Sequence, residues 1–157
     1  MKAVLLVVHV VLAIVLIGPL TAAASLFPRY AREAVAAGEN RTGPLSVLSA
    51  LHRISTGYAV AGIAVPVFGI ATASAMGVLG DWWIWVSMAL TLLAAALLGW
   101  AVVPAQKRIM ELLQPPGDLA AVSPLLPRLG MVTGSFALVW AIVVVIMIVR
   151  PGSSTGV

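Results

Sequence analysis

The residues best suited to chemistry in this chain are His9 and Met88. Each lies six residues into an apolar segment, and Met76 and Met147 lie near the ends of two other such segments. If the segments that hold His9 and Met88 form helices that start at one membrane surface, both residues lie at one depth, about 9 Å below that surface. An imidazole and a thioether bind copper(I), and together they also ligate haem iron. The alternative is that His9 bonds to a neighbouring helix and that the methionines fill gaps.

A second polar group lies at the start of two other apolar segments. His52 and Arg53 precede one segment, and Arg128 precedes the other. The arginines suit a lipid phosphate or another anion, with His52 beside them, although snorkelling of their side chains to the membrane surface explains them equally. His52 and His9 are expected to lie about 20 Å apart in depth in a hydrocarbon core about 30 Å thick. They therefore cannot ligate one haem iron.

Other residue types exclude several classes of function. The apolar segments contain no Asp, Glu, Lys or Arg, whereas proton relays, ion pathways and voltage sensors use ionisable groups within the membrane. The chain has no cysteine, which excludes thiolate metal sites, iron–sulfur clusters and cysteine nucleophiles. No phosphate-binding loop, nucleophile elbow or zinc motif is present. We therefore expect a protein that is not an enzyme and binds no nucleic acid.

Four apolar segments must position these residues. Each is long enough to cross a bilayer as an α-helix, which takes about 20 residues. Of the 157 residues, 62% are hydrophobic and 9% are charged, whereas about a quarter of a soluble domain is charged. The sequence predicts an all-α fold, a four-helix transmembrane bundle in a single domain, 1–150, with a disordered tail, 151–157. The predicted spans are 3–25, 54–79, 82–104 and 129–149.

The basic residues are divided unevenly between the two sides of the predicted membrane. Two connecting regions hold seven of them, and only Lys2 and Arg150 stand on the opposite side. Because positive residues concentrate in the cytoplasm, we expect both connections to be cytoplasmic and both termini to lie outside a bacterial plasma membrane, with the first span uncleaved. The seven residues are Arg29, Arg32, Arg41, Arg53, Lys107, Arg108 and Arg128.

Small residues at four-residue spacing predict close helix packing. Gly130 and Gly134 form one row, and Gly69, Ala73 and Gly77 form another. Such rows allow close approach of helix backbones, either within the bundle, which is the default interpretation, or against another membrane subunit. A shift of 75 residues also aligns basic residues of the two halves, as two parallel two-helix repeats would, although basic inner loops alone would give the same match.

The stretch from Val8 to Pro19 resembles the first helix of an uncharacterised family of bacterial four-helix integral membrane proteins, a domain of unknown function. Its members often carry a histidine early in helix 1 and a glycine about nine residues later, which His9 and Gly18 match. A more distant similarity is to copper-resistance D and HemJ-type porphyrinogen oxidase membrane proteins, which share a helix-1 histidine. The HemJ-type proteins also use a basic residue in a later helix. None lies within 82–104 here, which argues against porphyrinogen oxidation.

Two functions agree with these observations. The first is a non-enzymatic accessory or scaffold subunit of a larger membrane complex, such as a respiratory complex, with lipid and other membrane subunits as partners and no cofactor. The second is a protein that handles copper, porphyrin or haem at His9 and Met88. A lipid or small-molecule permease with Arg53 and Arg128 at its entrance is a weaker third, because no charge is buried in the spans.

Overall fold

The computed structural model describes residues 1–152, and in this part of the chain it contains four long helices and no strand. All four helices are long and apolar enough to cross a membrane. The predicted all-α, four-helix architecture is confirmed. Residues 151 and 152 form a turn, and the remainder of the predicted tail, 153–157, lies outside the described residues. The helices are α1, Lys2–Ala36; α2, Thr42–Met76; α3, Trp82–Leu113; and α4, Leu119–Val149.

The helices extend well beyond the predicted spans at one end and stop short of them at another. Helix α2 begins at Thr42 and holds Pro44 in its first turn, where the missing N–H of proline is not needed. The same helix ends at Met76, three residues before the predicted end of its span. Gly77 ends it with a left-handed φ of 77°, which glycine adopts without steric cost.

Prolines explain the irregular turns of α1 and α3. A π-helical turn covers Ala13–Ile17 in α1 and another covers Leu97–Val102 in α3. The turns end two residues before Pro19 and Pro104 respectively. A proline has no N–H for the carbonyl four residues earlier, and in both helices that carbonyl lies inside the π turn. Each π turn changes the face that the following side chains present.

Helix α2 is interrupted for the same reason. Its regular hydrogen bonding stops at Gly62 and Ile63, just before Pro66. The Gly62 carbonyl, which Pro66 leaves without a partner, accepts the Val65 N–H at 3.0 Å. The interruption falls in the middle of the predicted second span.

The helices pack most closely at the end that carries the connections 37–41 and 114–118, which we call the loop end. Here the second half of α1 packs along the first half of α2, and both contact the end of α3. Side chains with no exposed surface fill the space between them, as in the core of a soluble bundle. They include Phe27, Leu48, Ile109 and Leu113.

The helices separate toward the opposite end, which carries residues 77–81, Lys2 and Val149 and which we call the terminal end. There the first half of α1 packs mainly on the second half of α2, and α3 packs mainly on α4. The buried cluster between them is far smaller than the one at the loop end. The bundle therefore consists of two hairpins that meet at the loop end and diverge toward the terminal end.

The two hairpins correspond to the two halves that the 75-residue shift relates. The bounds of α3 and α4 follow those of α1 and α2 at this shift to within about five residues. The π turns do not follow it, because Ala13–Ile17 and Leu97–Val102 lie at different distances from the starts of their helices. The halves thus share helix lengths and connections but differ in local geometry.

A buried arginine joins the two connections of the loop end. Arg41 is 8% exposed, and its Nη1 donates to the Gly38 carbonyl at 3.1 Å. Its Nη2 lies so close to Gly117 that a Cβ at that position would be 2.6 Å away. Gly117 also has a φ of 69°, so glycine is required there for two reasons. The sequence predicted Arg41 only as one basic residue among seven.

Candidate functional site

A partly open cavity of ≈ 1130 Å³ separates the two hairpins at the terminal end. All four helices line it, mostly with apolar side chains, and the π turn of α1 contributes Ala13, Ile14 and Ile17. Small-molecule sites in proteins usually measure about 300–1000 Å³. The cavity is therefore large enough for a whole organic cofactor, and its apolar lining suits a ligand that dissolves in the membrane.

His9 lines this cavity with its imidazole ring held in one orientation. Nδ1 lies 3.0 Å from the carbonyl oxygen of Val65, across the interface between α1 and α2. A carbonyl only accepts, so Nδ1 carries the proton and Nε2 keeps the lone pair. Nε2 has no hydrogen-bond partner among the described residues, and it is not fully buried. The free nitrogen is thus accessible as a ligand.

Gly69 provides the space for this ring. A Cβ at Gly69 would lie 3.0 Å from Cε1 of His9 and 3.4 Å from Nδ1. Those separations are shorter than ordinary contacts between carbon atoms, which are about 3.5–4.0 Å. The small residue at position 69 therefore allows α1 and α2 to approach with an imidazole between them, which is how this part of the predicted small-residue row is used.

Each of the other three helices contributes a methionine to the same cavity. Met76 comes from α2, Met88 from α3 and Met147 from α4, so the cavity holds one histidine and three thioethers. The structure thus places His9 and Met88 on one cavity. Residues 1–152 contain no group of three His, Asp or Glu side chains that could hold a metal ion. The donors that the cavity does offer are soft or borderline ligands, which suit haem iron and copper(I).

Most other polar groups of the lining are already bonded. Three threonine hydroxyls each donate to the carbonyl four residues earlier in their own helix, at 2.7–2.8 Å. Their protons are therefore not free for a ligand, and Nε2 of His9 remains the nitrogen of the lining with a free lone pair. The three residues are Thr21, Thr72 and Thr91.

At the loop end, His52, one of the three residues of the predicted anion site, bonds to a side chain of α3. His52 Nδ1 lies 3.2 Å from Oε1 of Gln106, and Nε2 of Gln106 donates to Oγ of Ser55 at 3.2 Å. Gln106 and Ser55 are fully buried. Arg53 is exposed and is not part of this network. His52 thus takes part in a polar link between α2 and α3.

Arg128, in the first half of α4, is exposed and takes no part in that link. A role for the two arginines in binding an anion or a lipid headgroup stays a prediction. Gln106 was not singled out in the sequence. The spacing of its apolar neighbours does indicate that Gln106 is buried. The buried residues of this part of α3 follow one another at the three- and four-residue spacing of one helix face, and they are Val102, Gln106, Ile109 and Leu113.

The small-residue rows differ in how they are used. Ala73 is buried in the small cluster at the terminal end, and Gly69 contacts His9. A Cβ at Gly77, Gly130 or Gly134 would meet nothing within 4 Å. These three glycines therefore make no close helix contact within the described chain, in contrast to the default interpretation of their spacing. Packing of Gly130 and Gly134 against another subunit stays a prediction.

Comparison of the chain with protein-family models, with curated proteins and with solved structures finds no match in any of the three. The class of the protein is therefore defined by its fold and its cavity alone. The protein is an all-α bundle of four helices that are able to span a membrane, with a ligand-sized cavity between its two hairpins.

Proposed function

We propose that this protein binds a porphyrin, in the form of haem, in the cavity between its hairpins. The observation that carries this proposal is the His9 ring, whose Nδ1 is bonded to Val65 and whose Nε2 is free in a cavity that Met88 also lines. A histidine bonded through one nitrogen to a carbonyl is the usual arrangement of a metal-ligating imidazole, because that bond sets the tautomer and the ring orientation.

The size of the cavity favours a macrocycle over a bare copper ion. A volume of ≈ 1130 Å³ far exceeds the space of a single ion with its ligands, and its lining is mostly apolar. His9 would hold the iron, and a methionine such as Met88 would offer a second ligand, the pair of residue types found in cytochromes c. A bound haem would supply one-electron redox chemistry. The chain itself would supply the ligands, the apolar surroundings and a partly open cavity.

The test is an absorption spectrum of protein purified in a mild detergent from haem-replete cells. We expect a Soret band with the wild type, its loss with His9→Ala and its retention with His52→Ala. The second variant is the matched control, because the chain has two histidines and His52 bonds to Gln106 at the loop end. A colourless wild type that also binds no added haem would refute the proposal.

A second candidate function, an accessory subunit of a larger membrane complex, is favoured by the outer face of α4. Gly130 and Gly134 have open space beside them, and Met131 between them is 74% exposed. A face of small residues on the outside of a bundle allows another membrane helix to approach. If this face binds a subunit, Gly134→Leu will abolish stoichiometric co-purification of that subunit. An unchanged set of co-purifying proteins would argue against the idea.

We also infer the orientation in the membrane from charge. The loop end carries the seven basic residues, and the terminal end carries Lys2 and Arg150, so the loop end belongs in the cytoplasm. The chain has no cysteine, which makes single-cysteine labelling direct. We expect an impermeant maleimide to label intact cells at Gly80→Cys and to label Ser46→Cys only after the membrane is permeabilised. The reverse pattern would invert the topology and place the cavity on the cytoplasmic side.

A further inference from the structure

The cavity has one charged residue among the described residues that line it, and that residue is Arg150. No aspartate or glutamate lines the cavity. The lining therefore favours one orientation of a ligand that has an apolar body and a negatively charged group. In that orientation the charged group lies at the terminal end, beside Arg150. A cation in this place would meet no opposite charge.

The side chain of Arg150 is fixed beside the cavity. Helix α4 ends at Val149, and Arg150 takes a left-handed backbone conformation with φ 47° while its N–H still bonds to the Ile146 carbonyl at 2.9 Å. Left-handed backbone is uncommon for a residue other than glycine. The guanidinium lies over the ring of Trp83, 5.9 Å from its centroid. A cation–π contact of this kind uses no N–H group of the guanidinium, so these donors remain available for an anion.

A second cation lies at the same end of the cavity. Lys2 lines a crevice together with Leu6 and Met76, and both of these residues also line the large cavity. Asp81, the residue before α3, accepts a hydrogen bond from Nε1 of Trp83 at 3.1 Å. Among the described residues, Arg150 and Lys2 form no ion pair. Two basic side chains thus lie at the terminal end, one lining the cavity and one lining the crevice beside it, and His9 lies further from that end.

We propose that Arg150, assisted by Lys2, binds the carboxylates of the porphyrin, so that the ligand is an anionic amphiphile with its acidic edge at the terminal end. This inference rests on the proposed function and adds the chemical class and the orientation of its ligand. Haem carries two propionates on one edge of an apolar ring. That distribution of charge matches an apolar cavity with two cations at one end.

The experiment compares haem with its dimethyl ester, which has the same ring and iron but no carboxylate. Both are titrated into protein in nanodiscs of neutral phosphatidylcholine, and binding is followed at the Soret band. We expect the wild type to prefer haem over the ester by about tenfold, the effect of one charge-assisted interaction. Arg150→Gln should abolish most of this preference, Lys2→Gln should reduce it, and Arg150→Lys should keep it in large part. Lys107→Gln, at an exposed basic residue of the loop end, is the control and should leave this preference unchanged.

The outcomes separate this inference from the proposed function. If wild-type protein binds neither haem nor the ester, the proposed function fails. If it binds both equally, or if Arg150→Gln keeps the full preference, only the present inference fails. A fall in bound phosphatidylglycerol in Arg150→Gln, counted by native mass spectrometry and with the haem preference unchanged, would assign Arg150 to a lipid headgroup and overturn the proposal.

Discussion

Substituting Gly69 by alanine tests the placement of the His9 ring most directly. The added Cβ would lie 3.0 Å from Cε1 of His9. The ring must move by about 0.5 Å to restore an ordinary carbon contact. If the ring moves directly away from the Val65 carbonyl, the bond of 3.0 Å lengthens to about 3.5 Å, outside the usual range for N–H···O bonds.

The expected cost follows from two contributions. An interhelical hydrogen bond in a membrane protein contributes on average about 0.6 kcal/mol, and an extra methyl in a tight contact costs about 1–3 kcal/mol. The gain in helix propensity, about 1 kcal/mol, is shared with Gly134→Ala, where the new Cβ meets nothing within 4 Å. We therefore expect Gly69→Ala to be less stable than Gly134→Ala by about 1.5–3.5 kcal/mol.

The assay is unfolding by sodium dodecyl sulfate in mixed micelles, followed by the fluorescence of the five tryptophans. The same pair of variants is then compared in the His9→Ala background, as a double-mutant cycle. The gap between Gly69→Ala and Gly134→Ala should close there, because the ring that the methyl displaces is gone. Equal stability of the two variants in the wild-type background would refute the described packing. A gap that persists without His9 would assign the cost to some other contact.

Two further predictions concern the loop end, with unfolding in the same micelles as the measurement. Gln106→Ala removes a fully buried side chain that bonds to two others, so it should lower the free energy of unfolding by about 1–3 kcal/mol. Gln114→Ala, at an exposed position, is the control and should be nearly neutral. Equal unfolding midpoints for the two variants would contradict the buried network. Gly117→Ala and Gly38→Ala both place a side chain at positive φ, but only the first meets a guanidinium. Gly117→Ala should therefore be the less stable by about 1 kcal/mol or more, and this difference should disappear when Arg41 is replaced by alanine.

Hydropathy was sufficient to predict the fold class, because four uninterrupted apolar segments leave few alternatives to four helices. The helices are longer than the predicted spans, since the segments beyond the spans are amphipathic and pack on one another at the loop end. Phe27 and Ile109 are fully buried there, outside the predicted spans. A hydropathy window does not detect such positions, but the helical spacing of their apolar residues does.

The site was predictable in part. Equal depth along two helices predicted that His9 and Met88 share a level in the membrane, and the structure places both on one cavity. The existence of the cavity did not follow from the sequence, because it depends on which helices diverge. That divergence reflects packing between α1 and α2 and between α3 and α4, which no single segment encodes. The roles of Gln106 and Arg41 depend in the same way on contacts distant in sequence.

Because most of the core lies toward the loop end, the two hairpins are held together there and have few contacts with each other at the terminal end. From the middle of each helix to the terminal end is a distance of about 25 Å, or some 17 residues of helix. A rotation of about 5° between the hairpins at the loop end moves their tips by about 2 Å, a typical displacement for a hinge between packed elements. The separation of the helix ends around the cavity is therefore sensitive to small angular changes in the core, about 25 Å away.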